Sequence, residues 1–137
     1  MSEKLHQCCD RLKAEIKTIE HGLEQAGHHL TSATETSVGD LETRLKSAME
    51  KCEAKREHAT QAGHRIRQFL EEAKAGAVSK FEDWKTDREI SKIEKHADRR
   101  EQHALDAIML AAFATLEAEI AIVEALKARK MAIEVAG

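Results

Sequence analysis

The residues of this chain best suited to chemistry are its thiols, imidazoles and a few acids. Cys8 and Cys9 are adjacent, and His6 lies one turn before them in a helical reading. If residues 3–30 and 40–75 form a hairpin turning near residue 35, levels match where positions sum to about 70 at the usual helical rise. His6 then lies level with His64, so His6, Cys9 and His64 could offer soft ligands to zinc or copper. No Cys-x-x-Cys pair or fourth ligand accompanies them, and the bland alternative is a small core cysteine beside a solvated imidazole. The expectation is therefore no metal site, with these three as the residues that would form one. The same levels put Cys52 about 13 Å along the axis from Cys9, too far for a disulfide.

His96 and His103 lie seven apart on one helix face with Arg99 and Arg100 between them. They could hold an anion or change charge near pH 6, but the reading we favour is a solvated surface stripe. Asp106, Glu117 and Glu124 sit near an apolar helix, but a di-iron bundle needs paired Glu-x-x-His motifs on facing helices. The one such motif, Glu3–His6, is remote from these acids. No nucleophile–base arrangement or phosphate-binding loop stands out, and the expectation is a protein that is not an enzyme and carries no cofactor.

The elements that must position these residues are helices. Proline and tyrosine are absent, aromatics are 3% and charged residues 34%. That composition suits long helices and coiled coils and lacks the β-branched and aromatic runs of strands. At 137 residues the chain fits one all-α domain. With 22 basic and 25 acidic residues it lacks the basic surplus expected of a nucleic-acid binder. The charged start MSEKLHQCCDRL does not read as a signal peptide, and three cysteines without one fit a reducing cytoplasm. The longest uncharged run, 107–116, is far short of the roughly 20 residues of a membrane span.

Residues 3–30 hold a seam at Leu5, Cys9, Leu12, Ile16, Ile19, Leu23, Ala26 and Leu30, alternating steps of four and three. Arg11/Glu15 could pair on the outside, while Gly22 and Gly27 each cost about 1 kcal/mol against alanine. TSATETSVG (31–39) is the clearest break, with Ser37 or Asp40 able to cap the next helix. So short a link makes its flanking helices antiparallel neighbours. The seam resumes at Leu41, Leu45, Ala48, Cys52, Ala59, Ala62, Ile66 and Phe69, with Lys55 where an apolar residue is expected and Glu42/Lys46 paired outside. Gly76 is a weaker break. Ala77, Phe81, Trp84 and Arg88 then suggest an eleven-residue step. A single helix over 77–135 would be about 88 Å long; a bend at 97–104 would instead give four helices. The single helix is the reading we favour.

The C-terminal stretch ALDAIMLAAFATLEAEIAIVEALKARKMAIEVA (104–136) is apolar on two faces. Ile108, Ala112, Leu116, Ile120 and Val123 form one; Leu110, Ala114, Ala118, Ala121, Ile122 and Ala125 form the other. The hairpin can cover one face and a second copy of the chain the other, most simply as a dimer. The expected oligomer interface is Ile108, Leu110, Phe113, Leu116, Ile120, Ile122, Val123 and Leu126. A partner protein would use a helix-in-groove contact.

The run 81–132, through Trp84, Lys85, Arg88, Glu89 and Asp106-Ala107-Ile108, resembles small alanine- and glutamate-rich bacterial coiled-coil proteins. The resemblance implies an all-helical bacterial protein and no active-site residue. The function expected is a non-enzymatic helical scaffold or adaptor that self-associates through its last helix. The alternatives are a phasin-like amphipathic coat of a lipid or storage-granule surface, and a metal-binding bundle.

Overall fold

The computed structural model describes residues 2–74 and 90–136. Among the described residues three helices make an all-α bundle: α1 (Ser2–Thr31), α2 (Val38–Lys74) and α3 (Ile90–Ala136), with a short 3-10 turn, Ala33–Glu35, between the first two. Over its 47 residues α3 is continuous and runs about 70 Å, with no interruption at 97–104. Gly76, the eleven-residue step and Trp84, Lys85, Arg88 and Glu89 lie outside the described residues.

Hydroxyl chemistry closes the α1–α2 turn. Thr31 Oγ1 donates to the Gly27 carbonyl and Ser32 Oγ to that of His28, satisfying acceptors a helix C-terminus leaves open. Thr36 Oγ1 donates to the Ser32 carbonyl. Of the two expected caps it is Ser37 that acts: its Oγ accepts the Asp40 backbone N–H at 3.1 Å.

α3 is the central element. α1 runs parallel to it, since Arg11 meets Glu101 and His29 meets Glu119. α2 runs antiparallel to it, since Arg65 meets Asp106 and Glu42 meets Lys127. α1 and α2 are thus antiparallel, as the short link requires, but they pack on α3 and touch one another only marginally. Arg11 and Glu42 reach across to α3, rather than along their own helices to Glu15 and Lys46.

The α2 seam is turned inward: Leu41, Ala48, Cys52, Ala59 and Ala62 are buried, and Leu45, Ile66 and Phe69 half-buried. Small side chains dominate, so the helices approach closely but each residue contributes little apolar area. The α1 seam is displaced by one position. Leu12, Ile19 and Ala26 face α3 as expected, but the row completing the contact is Cys8, Glu15, Gly22 and His29. The apolar row Cys9, Ile16, Leu23 and Leu30 is exposed. Close approach and a buried polar pair explain the displacement. A Cβ on Gly22 would meet Thr115 Cγ2 at 2.7 Å, so only glycine permits this spacing of α1 and α3. Two turns further along α1, His29 reaches Glu119.

Candidate functional site

Three features of α3 could carry function: its buried polar pairs, a cleft on one side and an uncovered face on the other. In the first pair, His29 Nε2 lies 3.0 Å from Glu119 Oε1, with both side chains 6% exposed. Arg44 Nη1 approaches His29 Nδ1 at 3.3 Å and donates to Ser32 Oγ at 3.2 Å. With Arg44 donating to Nδ1, the Nε2–H donates to Glu119, so both ring nitrogens are engaged. That arrangement locks α1, the turn, α2 and α3 together and leaves no imidazole nitrogen to take a substrate proton. Lys130 Nζ donates to the Thr36 carbonyl, adding a further tie at this end.

In the second pair Arg65 donates through Nε and Nη2 to Asp106, which is 1% exposed, and Gln102 Nε2 donates to the same carboxylate at 2.9 Å. The carboxylate hydrogen-bonded to Arg65 raises the guanidinium pKa, outweighing the opposing effect of burial. This bidentate pair sets the register of α2 on α3. Asp106 is therefore an ion-pair partner, while Glu117 and Glu124 are exposed.

The soft-ligand set does not assemble. His6, Cys9 and His64 are all exposed. The two registers on α3 place His6 level with the last turn of α2, about 15 Å along the axis from His64. No group of three or more metal-capable side chains occurs among the described residues. The levels differ because α1 and α2 are registered through α3 and not through each other. Cys8, Cys9 and Cys52 are free thiols. Burial pushes the Cys52 thiol up despite Arg56 nearby, and burial followed by Glu101 pushes up that of Cys8. His103 is half-buried and stacks on Phe69 at 4.0 Å between ring centroids, with the Arg100 guanidinium 4.7 Å from the Phe69 ring. Its Nδ1 has no hydrogen-bond partner among the described residues. His103 thus belongs to an aromatic–cation stack, and His96 is half-buried on the same helix.

On one side of α3 the gap between α1 and α2 forms a cleft of about 570 Å³. Met109, Ala112, Phe113 and Leu116 line its floor; Lys51, Lys55 and His58 stand on the α2 side. Lys55, the polar interruption of the α2 seam, is among the residues that line the cleft.

Among the described residues, none packs over the other side of α3. Of the eight residues expected at an oligomer interface, Val123 is fully buried in the chain's own core. Leu110 lies 3.9 Å from where a Gly63 Cβ would stand, and Phe113 lies under Arg56 at 5.8 Å. Phe113 and Leu116 line the cleft, and Ile108, Ile120, Ile122 and Leu126 are half-buried. The residues α3 turns outward are Ala107, Ala111, Ala114, Ala118, Ala121, Ala125, Ala128 and Ala132, all exposed. They alternate steps of four and three over the whole distance, a heptad seam of alanines. Four of them, Ala114, Ala118, Ala121 and Ala125, belong to the second face read from the sequence, although side-chain size draws the expected interface to the leucines and isoleucines. On α1, the uncovered row with Ile16 44%, Leu23 58% and Leu30 55% exposed lies on the side of the α3 contact away from the cleft.

Compared with protein-family models, with curated proteins and with solved structures, the chain matches none. No helix among the described residues is long and apolar enough to cross a membrane.

Proposed function

We propose that this protein is a non-enzymatic, cytoplasmic helical scaffold that self-associates through the outward side of α3, most simply as a dimer. The observation that carries the reading is the pair of uncovered apolar rows: the alanine heptad of α3 and Cys9, Ile16, Leu23 and Leu30 of α1. An isolated exposed apolar residue has no meaning, but aligned rows over many turns mark a surface built to be covered. Alanines let a second helix approach closely but bury little area, and the larger α1 side chains supply what they lack. The tightly tied α1–α3 and α2–α3 registers make the surface rigid, which limits the entropy lost on association.

The test is light scattering after size exclusion, with the double substitution Ala118→Glu/Ala121→Glu. Both positions are exposed, so the fold should survive and the discrete oligomer should become a monomer. A phasin-like coat would instead float with lipid vesicles, and flotation abolished by the same substitutions would replace the scaffold reading.

A further inference from the structure

The cleft on the opposite side of α3 has a division of chemistry unlike either uncovered row. Its floor is apolar: Met109, Ala112, Phe113 and Leu116 are half-buried there, spanning about 11 Å of helix. One edge is basic, with Lys51, Lys55 and His58 within two turns of α2. Neither lysine has an ion-pair partner among the described residues, whereas Lys127 on α3 is paired with Glu42. At about 570 Å³ the space has the size and mainly apolar lining of a small-molecule site. Lys55 stands where the α2 seam calls for an apolar residue, so the sequence gives up core packing at a residue that lines the cleft.

We propose that this cleft binds an amphipathic carboxylate of the fatty-acid class. The aliphatic chain lies along Met109, Phe113 and Leu116, where its burial provides the affinity. The carboxylate sits at the α2 edge between Lys51 and Lys55, whose positive charges attract it and would repel a cationic head. The opposite edge, with Glu15, His21 and Gln25, offers no equivalent cluster of cations and orients the head towards α2.

The experiment is calorimetric titration of the full chain with dodecanoate below its micellar concentration. Acetate serves as the head-only control and dodecyltrimethylammonium as the tail with the opposite charge. The expected result is saturable binding of one dodecanoate per chain, no detectable acetate binding, and affinity for the cation weaker by about tenfold or more. Lys51→Glu/Lys55→Glu, at two exposed positions, weakens dodecanoate by about tenfold and narrows or reverses the preference. Ala112→Trp, filling the floor, abolishes binding; Ala118→Glu/Ala121→Glu, on the other side of α3, leaves it unchanged. Non-saturable uptake, equal affinity for both amphiphiles, or dodecanoate binding indifferent to Lys51→Glu/Lys55→Glu would overturn the proposal.

Discussion

His29 and Glu119 form a buried pair at 3.0 Å that joins the end of α1 to the middle of α3, with Arg44 of α2 on the other ring nitrogen. Removing one member leaves the other in a low-dielectric site without its partner. His29→Ala should destabilise the fold by about 3–5 kcal/mol, while replacing both by leucine should recover most of that loss. Urea denaturation of the two variants measures the difference. A loss below about 0.5 kcal/mol for His29→Ala would mean that water reaches Glu119.

Two glycines of α1 should respond in opposite ways to the same change. Gly27 has open space where a Cβ would be, so Gly27→Ala should gain about 1 kcal/mol from helix propensity. At Gly22 the new methyl meets Thr115 Cγ2 at 2.7 Å. Thr115 cannot rotate away freely, because its Oγ1 donates to the Ala111 carbonyl. Gly22→Ala should therefore be neutral or destabilising, and Gly22→Ala/Thr115→Ala should recover the gain. Thermal melts of the three variants suffice; equal stabilisation at both glycines would show that α1 and α3 are not held this closely.

How far the sequence determines this fold is clearest in the contrast between α2 and α1. On α2 every seam residue from Leu41 to Phe69 faces inward, because hydrophobic period and packing agree there. On α1 the period pointed to Cys9, Ile16, Leu23 and Leu30, yet the row Cys8, Glu15, Gly22 and His29 won. Close approach at a glycine and a complementary charged partner ninety residues away are tertiary facts that no local pattern encodes. The two faces of α3 were legible in part: Ile108, Ala112, Leu116, Ile120 and Val123 turn in and Ala114, Ala118, Ala121 and Ala125 turn out, but Leu110 and Ile122, grouped with the second face, are half-buried. The soft-ligand set failed for a related reason: its levels assumed direct α1–α2 packing, and α3 intervenes.

The three thiols should differ in reactivity. Cys9 is exposed, and should react first with a disulfide reagent at pH 8. Cys8 is slower, because its partial burial and Glu101 disfavour the thiolate, and Cys52 slowest, because it is buried in the α2–α3 contact. Cys52 also has a pH consequence. Its folded pKa is raised above the ordinary 9.0, so the unfolded chain loses this proton first as pH rises. The stabilising contribution is complete below pH 9.0 and is lost as pH climbs through the raised folded value. Stability should begin to fall as pH rises past 9.0, and less steeply in Cys52→Ala; chemical denaturation at a series of alkaline pH values reads both slopes. Parallel slopes would remove Cys52 as the cause.

The α3 surface supports one further comparison. Charge placed on the outward row should leave the folded chain intact, whereas charge at Val123 should unfold it, since that side chain is fully buried. Circular dichroism of Ala118→Glu/Ala121→Glu should match the parent, and that of Val123→Glu should show lost helicity. Equal damage from both would place the alanine row inside the monomer core.

Native mass spectrometry of the full chain, with and without Ala118→Glu/Ala121→Glu, reads the subunit number directly. A defined oligomer, most simply two chains, that falls to one chain on substitution is the result expected. A parent that stays a single chain up to high micromolar concentration would contradict self-association and remove the basis of the scaffold role.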